Sequence, residues 1–188
     1  MSEPVRPLRA DAARNRARVL EVAYETFAAE GLAVPIDEIA RRAGVGAGTV
    51  YRHFPTKEAL FEAVFSDRVR RIVEDGRALV ASEGPGDALF AFLRELVRSS
   101  ATDHGLFDAL AGYGMDVAAA TSEAEAAFLA VLGELLTAAQ DAGTMRADVG
   151  VPEVKALLVV CKSSQDYGPG VADRVTQVIA DGLRPRGG

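Results

Sequence analysis

The stretch IDEIARRAGVGAGTVYRHFPTKEAL, Ile36 to Leu60, decides the fold. Ile36, Ile39, Ala40 and Ala43 recur at i, i+3, i+4 and i+7, so the apolar side chains of a first short helix share one face. Asp37, Glu38, Arg41 and Arg42 take its wet face. Gly44 stands where a helix C-terminus requires a residue tolerant of positive φ, and Val45 opens a second apolar period. Two short helices around a tight glycine turn make a helix-turn-helix.

Laid out at about 100° per residue, the second helix, Ala47 to Phe54, brings Val50 and Phe54 together on a side that must be buried. Gly48, Thr49 and Arg52 fall on the opposite side, and Tyr51 and His53 on the flanks. A helix in a major groove needs this distribution. Thr49 offers a hydroxyl and a methyl to base edges, and Arg52 a fork suited to guanine. Tyr51 and His53 face the groove walls, where phosphate contacts fix register without reading sequence. Lys57, at the start of a third helix, adds a cation beside a helix N-terminus, a further phosphate contact. The glycines at 44, 46 and 48 do not make a phosphate loop: the preceding residues are helical and no Gly-Lys-Ser/Thr follows.

Val45-Gly46-Ala47-Gly48-Thr49-Val50-Tyr51-Arg52-His53-Phe54, with Lys57 and Leu60 after it, resembles the amino-terminal signature of the TetR family of bacterial transcriptional regulators. Arg16 to Gly31 resembles that family's first helix, with Arg16 where members often touch phosphate. The resemblance covers roughly residues 14 to 65; beyond them only the helical plan is shared. One departure stands out. Gly46 occupies a position commonly held by serine, which would cap the second helix, and neither it nor Ala47 offers a polar side chain.

Charge is distributed in keeping with a DNA reader. The net charge of −6 is unfavourable for nucleic acid, yet residues 1 to 60 carry nine Arg or Lys against eight Asp or Glu, and the later residues twelve against nineteen. Arg6, Arg9, Arg14, Arg16 and Arg18 form a basic arm before and into the first helix, with Arg14 and Arg16 the expected phosphate contacts. With 188 residues, 49% hydrophobic and 26% charged, the chain has the composition of an ordinary globular protein. The single Cys161 excludes an intramolecular disulfide framework. No apolar run reaches the roughly 18 to 20 residues of a membrane span, and the amino terminus is charged rather than a hydrophobic signal. A cytoplasmic protein with no membrane partner is expected.

After Leu60 the periodicity predicts helices over Thr56 to about Ala81, Asp87 to about Ser99, Leu106 to Ala111, Thr121 to about Asp141, Pro152 to Ser164 and Val171 to Leu183. The expected fold is all-α: an arm and three-helix helix-turn-helix domain over residues 1–55, then a helical effector-binding and dimerisation domain over 56–188, entered through a connecting helix at about 56–81. The last two helices are apolar on more than one side, which suits either a central core helix or an interface. The family resemblance implies the interface, since related proteins pair these helices into a four-helix bundle. Val154, Leu158, Val175, Val178 and Ile179 are the expected contacts. A two-fold dimer presents two recognition helices about 34 to 36 Å apart and selects a near-palindromic double-stranded operator.

The resemblance also implies a small-molecule effector held among the middle helices. Phe92, Phe107, Tyr113, Met115, Phe128 and Gln165 are the candidate lining, and the scarcity of charge in the apolar faces favours a largely apolar effector. Repression relieved by ligand is the family's usual behaviour. Two other classes compete. An enzyme is disfavoured: His53, His104 and Cys161 fit no H-E-x-x-H, G-x-S-x-G or metal-ligand cluster, so no catalytic residue, metal or cofactor is expected. The alternative is a DNA-binding regulator without an effector, whose carboxyl-terminal domain serves dimerisation or protein partners.

Overall fold

The computed structural model describes residues 6–99 and 117–185, with side chains over 11–99 and 122–185. All regular structure among these residues is helical: α1 (Arg6–Glu30), α2 (Ile36–Ala43), α3 (Ala47–His53), α4 (Lys57–Glu83), α5 (88–99), α6 (Val117–Asp141), α7 (Val151–Ser163), a 3-10 turn (Ser164–Tyr167) and α8 (Pro169–Leu183). The predicted helix at Leu106 to Ala111 lies outside the described residues. The basic arm is not extended. Its backbone is helical from Arg6, so α1 begins well before Arg16.

The chain divides into two compact units, and α4 contributes to both: residues through Arg68 belong to the first, those from Val69 to the second. The first unit is built on Val19, Leu20, Ala23 and Phe27, which recur along one side of α1 and are buried. Ile36, Ile39, Ala40 and Ala43 of α2 are buried too, at 6% exposure or less, as their spacing predicts. Thr56 accepts the Ala59 N–H at 3.1 Å and so caps α4. Leu60, Phe61, Val64 and Phe65 then bury its inner side, and the Phe61 ring lies 6.0 Å from that of Phe27. The reader's core thus extends past residue 55, the limit expected from sequence, into the first turns of α4.

In the second unit, Leu89, Phe90 and Phe92 of α5 share a core with Val131, Leu132 and Leu135 of α6, Val154, Leu158 and Cys161 of α7, and Ala172 of α8. Gly76 of α4 is required by close approach. A Cβ there would meet Phe92 Cε2 at 2.9 Å and Val131 Cγ2 at 3.3 Å. Arg77 and Glu134 join α4 to α6 through two bonds of 2.9 and 2.8 Å. The loop after α6 is fixed by Gln140 Nε2, which donates to the carbonyls of Arg146 and Val149 at 3.1 and 2.9 Å. Burial pushes the Cys161 thiol up from its ordinary pKa against a weaker opposing hydrogen bond from Thr176. Among the described residues no helix is long and apolar enough to cross a membrane.

Candidate nucleic-acid interface

The turn between α2 and α3 is closed by its own backbone. Val45 N–H donates to Ala40 O at 3.0 Å and Gly44 N–H to Arg41 O at 3.1 Å, a Schellman arrangement around Gly44 at φ 65. Conformation alone therefore favours glycine at position 44. Gly46, with φ −67 and ψ 138, precedes α3 and provides no side-chain cap, so the absence of serine noted in the sequence is felt in the structure.

α3 has only seven residues, and Val50 and Phe54 hold it down at 1% and 3% exposure. Above them Gly48, Tyr51, Arg52 and His53 are exposed and Thr49 is half-buried. A side chain on Gly48 would meet nothing within 4 Å, so this edge of the helix is open to close approach. Among the described residues nothing pairs with Arg52. The His53 ring leans on Phe54 at 6.1 Å, and Arg16 places its guanidinium 5.5 Å from the other partner of that stack, the Phe54 ring centroid. Thus Arg16, Gly48, Thr49, Tyr51, Arg52 and His53 gather around one short exposed helix. Arg14 is also exposed, paired with Asp11.

Lys57 lies differently. Its Nζ donates to the Leu32 carbonyl at 2.7 Å and the residue is half-buried, tying α4 to the α1–α2 loop. Arg41 and Arg42, on the wet face of α2, are paired with carboxylates of their own unit. Glu38 accepts from Arg41 at 2.8 and 2.7 Å and from Arg42 at 2.7 Å, and Arg42 also pairs with Glu30. These guanidinium hydrogen bonds hold the Glu38 carboxyl at about 2, far below its ordinary range. Arg18 was legible in the sequence only as part of the basic arm. In the structure its Nε donates to the Ala43 carbonyl at 2.7 Å, a partner 25 residues away that no local pattern announces.

The candidate effector residues are divided. Phe107, Tyr113 and Met115 lie outside the described residues. Phe92 is 2% exposed and packs against Phe128, ring centroids 6.3 Å apart. Gln165 donates to the Val97 carbonyl at 3.0 Å. The expected dimer contacts need correction. Val154 and Leu158 point into the protomer's own core at 0% and 5% exposure, because they fall on the same side of α7 as Cys161. The outward side instead carries Val159 and Val160, with Val178 on α8 exposed and Val175 and Ile179 half-buried. An open groove of about 520 Å³ lies along the same two helices, floored by Val149, Ala156, Leu157 and Ile179 and edged by Arg146, Asp148 and Glu153.

A short exposed helix bearing arginine, tyrosine and histidine, set by a glycine turn after a partner helix buried on one side, defines a helix-turn-helix DNA-binding protein. Residues 19–64 match the family described as bacterial regulatory proteins, tetR family, and residues 84–185 match the transcriptional regulator SbtR-like C-terminal domain. The chain belongs to the TetR family of transcriptional regulators. A TetR transcription regulatory protein from Mycobacterium vanbaalenii is 68% identical, with a TM-score of 0.83 over 95% of this chain and 100% of that one. The TetR regulator SCO0520 from Streptomyces coelicolor is 33% identical, with a TM-score of 0.77 over 92% and 99%. The HTH-type transcriptional regulator SrpR of Pseudomonas putida is 33% identical over 91 residues, 48% of this chain and only 43% of that regulator's length.

Proposed function

We propose that this regulator is a repressor that grips a near-palindromic operator as a homodimer and is released by a small, largely apolar effector. The observation that carries the reading is the outward side of α3: Arg52 and Thr49 stand over the buried Val50 and Phe54, with Tyr51 and His53 on the flanks. Arg52 and Thr49 read base edges, with Gly48 allowing close approach, while Tyr51, His53, Arg14 and Arg16 hold phosphates and Lys57 braces the start of α4 beside them. Selection of bound sequences from random duplex DNA tests this directly. Two inverted half-sites with centres about 34 to 36 Å apart are expected. No enrichment, or a lone half-site, would refute it.

Dimerisation through α7 and α8 is supported by the exposed valines. Val159, Val160 and Val178 keep 57%, 53% and 70% of their surface open. Ala156 and Leu157, four and three residues before Val160, line the groove, so helices of a second copy laid on the valines would roof it. The effector acts by population shift, binding better to the form whose two readers are misaligned on DNA. Phe92, Phe128 and Gln165 are the described part of its site. Their close packing also favours a second reading, a regulator whose second unit only dimerises or recruits a protein. A thermal-shift screen in which no apolar compound stabilises the protein, alongside sound operator binding, would establish that reading. As a DNA-bound regulator the protein works in the cytoplasm.

A further inference from the structure

The recognition helix is poorly fixed by its own sequence. At seven residues α3 is too short to persist alone, and Gly46 leaves its first turn without a side-chain cap. Its direction depends on residues 44–46, and these follow the last carbonyls of α2. Ala40 and Arg41 carbonyls are taken by the turn's own amides. The Ala43 carbonyl is taken from outside, by Arg18 Nε of α1 at 2.7 Å. The Arg18 guanidinium sits against the negative end of the α2 dipole, and its Nη2 lies 2.9 Å from the place a Cβ would occupy on Gly44. Glycine at position 44 therefore admits the guanidinium as well as the positive φ.

We propose that Arg18 is a positioning residue for sequence discrimination: it locks the α2–α3 turn from α1 and compensates for the missing cap at Gly46. It acts through the Ala43 carbonyl and not through phosphate. The proposal rests on the operator-binding reading above. Without Arg18, α3 samples several directions and fits the bases less often, whereas attraction to any phosphate backbone is nearly unchanged.

The test uses the full chain, the duplex recovered by selection with the wild type, and a random duplex of equal length. Arg18→Ala is expected to lose roughly tenfold or more on the selected duplex, the scale of one charge-assisted hydrogen bond, with little loss on random DNA. Its salt slope on random DNA stays at the wild-type value. Arg18→Lys, which keeps a donor, restores part of the discrimination. So does Gly46→Ser placed in the Arg18→Ala background, since a Cβ at Gly46 meets only Thr49 Oγ1 at 3.9 Å. Equal losses on both duplexes, with a slope reduced by about one, would make Arg18 a phosphate contact and overturn the proposal. Wild-type discrimination in Arg18→Ala would overturn it as well. Amide exchange of the DNA-free chain provides a separate arm: in Arg18→Ala the amides of residues 44–50 exchange faster, while those of residues 19–27 do not. Unchanged exchange at 44–50 would refute the lock even if selection enriches no sequence, an outcome that by itself counts against the operator reading alone. Should Arg18→Ala fail to fold, Arg18→Met, which keeps the aliphatic stem and removes every donor, carries the same comparisons.

Discussion

Val178→Asp should separate the homodimer while leaving the protomer folded. Burial of a whole valine side chain is worth about 1.5–3 kcal/mol. Val178 is 70% exposed, so about 1–2 kcal/mol of that remains available to a partner. In a two-fold interface the substitution occurs on both sides, raising the loss to about 2–4 kcal/mol before the cost of desolvating two carboxylates in an apolar seam. The dimer dissociation constant should therefore rise by about a hundredfold or more, since each 1.4 kcal/mol is about tenfold. Sedimentation equilibrium over a concentration series reads this, with urea unfolding of the same samples as the check on folding. Val154→Ala is the counterpart. Val154 is fully buried in its own protomer, and losing two methyl groups there should cost about 2–3 kcal/mol of folding stability. A Val178→Asp protein with the wild-type dissociation constant would refute the pairing face. A Val154→Ala protein of normal stability that no longer dimerises would refute the inward assignment of that residue.

Gly76→Ala should lower stability by about 1 kcal/mol, because crowding of Phe92 and Val131 outweighs the gain in helix propensity; Gly133→Ala, whose Cβ meets only Val151 Cγ2 at 3.6 Å, should raise it by up to about 1 kcal/mol. Thermal unfolding at one fixed protein concentration compares the two, and equal stabilisation would contradict the close approach at Gly76. Arg52→Ala should cost about 1–3 kcal/mol on the operator and relax preference at one position, whereas Lys57→Ala should lower the melting temperature by freeing the Leu32 carbonyl and leave the salt slope on DNA unchanged. Binding to single-base operator variants at several salt concentrations separates these effects. Glu38 has a folded-state pKa depressed from 4.5 to about 2, so its contribution is complete above the upper value and is lost as pH falls to the lower. Acid unfolding of Glu38→Gln should be flatter than wild type across that window, by a small, salt-sensitive margin because these groups are exposed.

The reader was legible because its helices are short and one-sided. In α2 every apolar residue is buried, and in α3 the coincidence of Val50 and Phe54 on one side was enough to find its outer face. Long-range polar contacts carry no such period. Nothing local sends Arg18 to Ala43 or Lys57 to Leu32, each 25 residues away; from sequence Arg18 is part of the basic arm and Lys57 a phosphate contact. On α7 the sequence showed two apolar sides but not which would be satisfied within the protomer. Packing against Cys161 and the α5–α6 core decided that for Val154 and Leu158, leaving Val159 and Val160 outside. Helix starts shifted where caps misled: Thr121 resembles a cap, yet α6 begins at Val117, and α8 begins at Pro169, an apt first residue, rather than at Val171.

The lone thiol turns the second unit into its own clock. Cys161 is 3% exposed and, with its pKa raised, exposes almost no thiolate to a reagent at neutral pH. Labelling must wait for the core around α7 to open. Its rate therefore counts those openings, without DNA and without any probe added to the chain, and compounds that occupy the interior will announce themselves by slowing it.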